Sequence, residues 1–183
     1  MLLAYPVRPE RRPAIAGLVH EDSPESGVYG GMSLIWFPVG PDGDEPAASL
    51  LTFVCDWSLR ADDDLTILES YPANVRVIHI PCTGRIDPEM ALRALRSGVD
   101  GVLVCGCAPG ECHYKRGTDV SACKIGLLNL MFEQMSAVGG SAPGSPWGTG
   151  RVRFVQIGTQ DRGRIRNEVD AMLEHLTAQE ETV

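Results

Sequence analysis

From residue 48 onward, short apolar runs rich in Val, Ile and Leu alternate with stretches whose apolar residues recur at helical spacing. SLLTFVC, Val75 to Ile80, Gly101 to Cys105 and RVRFVQIG read as strands, each bounded by Gly, Pro or Asp. Helical segments are expected around Asp63 to Ser70, after Asp87-Pro88, over Asp119 to Met135 and in DRGRIRNEVDAMLEHL. Asp87 followed by Pro88 reads as an N-cap with proline in the first helical position, and Gly98 closes that helix. In the third segment Ile125, Leu128 and Met131 supply the apolar spacing. Strands that alternate with helices predict an α/β fold, a single domain with a mainly parallel, four- to five-stranded sheet flanked by helices.

Residues 1 to 47 break this rhythm. Arg8 to Gly27 is rich in Arg, Glu, Pro and Ser without a period, and MSLIWFPVG reads as one strand that could form a hairpin with SLLTFVC. The chain therefore divides into an N-terminal extension, an arm or hairpin at 1–47, and an α/β domain at 48–183. Ile35, Trp36 and Phe37 in the extension are costly to leave in water and suit a contact with a partner. VGGSAPGSPWGTG reads as a surface insertion before the last strand.

Composition narrows the function. A formal charge of −8 argues against nucleic acid, which needs clustered Lys and Arg. No apolar stretch is long enough for a membrane span, and the first residues lack the order of a signal peptide. A cytoplasmic setting is expected, so the six cysteines read as ligands, buried thiols or redox groups rather than three disulfides.

The cysteines follow the strand pattern. Cys55, Cys82 and Cys107 fall where apolar runs stop, and Cys112 follows in the same loop as Cys107. Parallel strands end on one edge, where α/β folds place ligands, so four thiols dispersed in sequence should meet on one rim. Four thiolates suit an iron–sulfur cluster or a tetrahedral zinc. Zinc sites usually bring paired knuckles, whereas here only Cys107 and Cys112 are close in sequence, and reduced structural thiols are the third reading. Cys105 and Cys123 read as small core residues. His113 is a candidate ligand or proton carrier, with a solvated loop histidine as the plainer alternative. His79 reads as a satisfied core or edge residue. Arg85 would put a positive charge beside an anionic cluster or simply face solvent, and Asp56 and Trp57 could cover the site, or Trp57 could simply pack under the N-terminal arm. GCAPGECHYKRG lacks both the dinucleotide glycine pattern and the Gly-Lys-Ser/Thr ending of a phosphate loop, and no Ser-His-Asp order, HExxH helix or catalytic paired-carboxylate arrangement is recognisable.

CTGRIDP followed by GVDGVLVCGCAPGECHYKRG and a helix resembles the delta subunit of methyl-viologen-reducing hydrogenases, the hydrogenase iron–sulfur subunit family. The likeness is clear from Phe53 to Tyr114 and weaker through the last helix. Cys82 matches the cysteine of the family's Cys-x-Gly-Arg, and Cys107 and Cys112 match those of Gly-Cys-x-Pro-Gly-Asp-Cys-His-Tyr, with Glu111 at the acidic position. Where the family carries Cys-Cys-x-x-Cys at the first strand, this chain reads Val54, Cys55, Asp56, Trp57, Ser58, as in a divergent member. The resemblance implies a [2Fe–2S] electron carrier held by Cys55, Cys82, Cys107 and Cys112, without a catalytic site of its own. It implies two partners, a heterodisulfide-reductase-like flavoprotein subunit and a hydrogenase, formate dehydrogenase or other oxidoreductase. Two other functions stay open: a structural zinc-binding adaptor subunit, and a thiol-redox enzyme using Cys107 and Cys112.

Overall fold

The computed structural model describes residues 48–58, 74–138, 148–158, 161 and 163–181. Four strands, β1 (Leu50–Cys55), β2 (Val75–Ile80), β3 (Gly101–Cys107) and β4 (Val152–Ile157), form one sheet in the order β2-β1-β3-β4. Every pairing is parallel, with Phe53 opposite Ile78 and Val104 on β1's two sides. The expected hairpin partner of β1 and the helix around Asp63 to Ser70 lie outside the described residues.

The central strands are apolar throughout because both sheet faces are covered. Alternation along β1 sends Leu51 and Phe53 to one face and Leu50 and Val54 to the other. The first face is covered by α1 (Pro88–Arg96) and α2 (Gly117–Ala137), through Ala91, Leu95, Ile125, Leu128 and Phe132. The second is covered by α3 (Arg164–Glu181), through Ile165, Val169, Met172 and Leu176. β2 and β4 are the edge strands and are only partly buried.

Local chemistry sets the ends of these elements. The Asp87 carboxylate accepts the Glu89 N–H at 2.9 Å, which is the expected N-cap of α1. At the other end Gly98 adopts φ 101°, a left-handed conformation that closes the helix at little cost only for glycine. β3 continues two residues beyond its expected end, to Cys107.

Two core assignments need correction. Met131 faces solvent, 55% exposed, and Phe132 takes the core position, since residues 125, 128 and 132 follow the helical period more closely. Cys123 is exposed rather than a core residue, because it lies on the side of α2 away from the sheet. Cys105 is a buried core residue, packed in the cluster that α3 covers.

Candidate metal centre

Parallel pairing puts the ends of β1, β2 and β3 on one rim. Cys55 and Cys107 close their strands there, and the chain leaving β2 passes through Pro81 to Cys82 and a short 3-10 helix, Thr83–Arg85. The loop after β3 returns Cys112 to the start of α2. All four thiols are free and converge on this rim. The sulfurs of Cys55 and Cys107 are 3.6 Å apart. Those of Cys82 and Cys112 both lie beside Gly117, at the start of α2. Cys82 feels the charge of Cys55 and Cys112, and Cys107 that of Cys55 and Cys112, so the four thiols are close enough to interact. Among the described residues, no three His, Cys, Asp or Glu side chains are drawn in around one ion-sized point.

The rim is built around the N-terminus of α2. Gly117 lies so close to the sulfurs that a Cβ there would overlap Cys82 Sγ and sit 3.6 Å from Cys112 Sγ. A Cβ on Gly84 would in turn lie 2.8 Å from the Gly117 Cα, so two glycines let the CTGR turn and α2 meet. Lys124, two helical turns further along α2, donates from Nζ to the carbonyls of Gly84 (3.2 Å) and Ile86 (3.1 Å). It fixes the turn that follows Cys82.

Electrostatics differ among the thiols. Burial raises the Cys112 pKa, but this is outweighed by the backbone N–H and hydroxyl of Thr118 and by the N–H groups of Tyr114 and Gly117, so the net shift is downward. A helix N-terminus favours an anion for this reason. Burial pushes the Cys107 thiol up to about 12, reinforced by Cys55 and Cys112 and opposed by the Thr118 hydroxyl. Burial likewise raises Cys82, against an N–H contact from Gly84. A bound cation reverses such upward shifts, because the ligand is the thiolate.

The residues present fit an anionic, sulfur-rich group. The buried hydroxyls of Thr83 and Thr118 have no hydrogen bond of ordinary geometry, which costs about 1–3 kcal/mol each unless another acceptor takes them. Thr118 lies against Cys107 and Cys112, and Thr83 lies 3.2 Å from where a Gly106 Cβ would stand. A sulfur acceptor on this rim would give the Thr118 hydroxyl a partner.

Around the rim, the His113 ring stacks on Trp57, centroids 3.5 Å apart and planes 4° from parallel, and meets Tyr114 edge-on at 5.0 Å. Asp56 faces His79 at 3.5 Å on the edge strand, and Arg85 is exposed. A groove of about 420 Å³ between α2 and β4, lined by Ala122, Gly126, Asn129 and Phe154 among others, contains none of the cysteines. Gly84, Gly117, Thr118 and Lys124 escaped the sequence reading, since their roles depend on contacts between segments distant in the chain. The doublet Arg116-Gly117 before a helical run was the one available signal.

The family model described as methyl-viologen-reducing hydrogenase, delta subunit, matches residues 50–178, well over half of the chain. The iron-sulfur subunit of the F420-non-reducing hydrogenase of Archaeoglobus profundus is 34% identical over 94 residues, which are 50% of this chain and 69% of that protein. A subunit of the ferredoxin:CoB-CoM heterodisulfide reductase of Methanosarcina mazei is 49% identical over 88 residues, 47% of this chain but 11% of that much longer one. The vhc iron-sulfur subunit of the F420-non-reducing hydrogenase of Methanococcus voltae is 33% identical over 88 residues, 47% of this chain and 61% of its own length.

Proposed function

Because the chain belongs to the methyl-viologen-reducing hydrogenase delta-subunit family, we propose that it is an electron-transfer subunit carrying a [2Fe–2S] cluster on Cys55, Cys82, Cys107 and Cys112. The observation that carries this reading is the convergence of four free thiols on one rim, at the N-terminus of α2. A tetrahedral zinc needs all four sulfurs about 3.8 Å from one another around a single point, given a Zn–S length of about 2.3 Å. Four thiolates would equally hold a [2Fe–2S] cluster, and the relatives from Archaeoglobus profundus and Methanococcus voltae are named as iron-sulfur subunits, which supports iron over zinc. A [2Fe–2S] group bound there supplies one-electron transfer and no bond chemistry.

The chain's own residues do the remaining work. The α2 N-terminus and Gly84 present N–H groups to Cys112 and Cys82, and Thr118 adds a hydroxyl. Hydrogen bonds to ligand sulfur favour the more negative, reduced state. Burial of Cys55, Cys82 and Cys107 keeps water away, while Cys112 is the least buried of the four. In the Methanosarcina relative the similar region is part of the heterodisulfide reductase polypeptide itself. This supports a heterodisulfide-reductase-like flavoprotein subunit as one partner, with a hydrogenase, formate dehydrogenase or other oxidoreductase subunit as the other. Among the described residues no helix is long and apolar enough to cross a membrane.

Protein purified without oxygen should contain about two irons and two acid-labile sulfides per chain. Ser in place of any one of the four ligands should abolish the visible spectrum, and Cys105→Ser or Cys123→Ser should preserve it. Stoichiometric zinc without iron would replace this reading with that of a structural adaptor.

A further inference from the structure

Cys55 and Cys112 reach the rim on separate segments, the turn after β1 and the loop after β3, and one contact joins the outer ends of those segments. Trp57 stands two residues beyond Cys55, in a turn closed by the Ser58 N–H and hydroxyl donating to the Cys55 carbonyl at 3.0 and 2.8 Å. The Asp56 N–H donates to the Ile80 carbonyl at 2.9 Å, so backbone bonds fix this turn to β2. His113 directly follows Cys112, in a loop bonded internally from Glu111 N–H to Ala108 and from Lys115 N–H to Cys112. The stack of the indole on the imidazole spans from the first loop to the second.

The stack is partly exposed and adjoins, along the chain, the least buried of the four cysteines. Trp57 is 47% exposed and Tyr114 54%, and Cys112 is the only one of the four cysteines not fully buried. Loss of a ligand from an exposed position is the natural first step in cluster breakdown, and His113 moves with Cys112 because they are adjacent in the chain. Near-parallel rings with centroids 3.5 Å apart hold both loops in a fixed relation, and Tyr114 packs edge-on behind the imidazole.

We propose that the Trp57–His113 stack is a positioning clamp: it holds the Cys112 loop over the thiol rim and thereby sets how long the cluster survives and how uniform its surroundings are. The proposal rests on the iron–sulfur reading. Neither ring is a ligand, and both act through Cys55 and Cys112.

The test uses the full-length, cluster-loaded chain purified without oxygen. Decay of visible absorbance is followed after addition of an iron chelator, and the reduced cluster is examined by electron paramagnetic resonance. Trp57→Ala and His113→Ala should each speed decay about two- to tenfold, the range expected from loss of one aromatic pair, and broaden the resonance. The double variant should decay no faster than the faster single, because both changes remove the same contact. Trp57→Phe, which can still stack, should restore most of the lifetime and the narrow signal. Wild-type decay in both single variants, effects that multiply in the double, or failure of Trp57→Phe to rescue would overturn the clamp. If Trp57→Ala does not fold, His113→Ala and Trp57→Phe give the same decision. Wild-type protein with zinc and no iron would defeat the iron–sulfur reading and the clamp with it, whereas a normal cluster indifferent to these changes defeats the clamp alone.

Discussion

A methyl group on Gly117 is the smallest change that should empty the site. Its Cβ would overlap Cys82 Sγ, and the backbone on either side is held by the helix and by the close approach of Gly84. Gly117→Ala should therefore lose cluster loading while keeping far-ultraviolet helicity, and Gly84→Ala should do the same through its 2.8 Å encounter with the Gly117 Cα. Gly126 in the same helix is the control. A Cβ there meets nothing within 4 Å, and alanine should stabilise the helix by roughly 0.5–1 kcal/mol. A fully loaded Gly117→Ala protein would show that the rim is looser than described. At this scale the sequence made the four cysteines legible, because residue type and position at strand ends carry the signal. The residues that tune them were not: Thr118 and Lys124 look like ordinary helix residues until the fold brings Cys112 and the CTGR turn against them.

Whole elements were more legible than their faces. β1 and β3 are buried along their full length and read as continuous apolar runs, and α1 carries its cap and its closing glycine in plain sequence. α2 was harder, since apolar residues occur all round it: Leu127, Leu130 and Met131 are more than half exposed, whereas Ile125, Leu128 and Phe132 are buried. Periodicity finds such a helix but does not say which of several apolar stripes meets the sheet. The difference between neighbours should be measurable. Leu128→Ala should lower unfolding free energy by about 2–5 kcal/mol, and Leu130→Ala should stay within about 0.5 kcal/mol of wild type. Comparable losses in urea unfolding from both positions would contradict the orientation of α2.

At the scale of the molecule, the parallel sheet separates a chemical rim from a structural one. Strands of six residues span about 20 Å, so what closes the opposite edge is far from the cysteines. That edge is tied by Asp100, whose carboxylate accepts the Ser49 N–H and hydroxyl, both at 2.8 Å, while Arg151 donates to the Asp100 carbonyl at 2.9 Å. These bonds join the starts of β1, β3 and β4, and all three residues are buried. Asp100→Ala would leave the Ser49 donors and the Arg151 charge without the carboxylate they face, at a cost of roughly 3 kcal/mol. The urea midpoint should fall with little change in slope, since the area exposed on unfolding is almost the same. Iron content and the visible spectrum of the folded fraction should match wild type, because the four thiols are positioned from the other ends of the strands. An altered spectrum in well-folded Asp100→Ala protein would mean that the two rims are coupled through the sheet, and an unchanged midpoint would mean that the buried network contributes nothing net to stability.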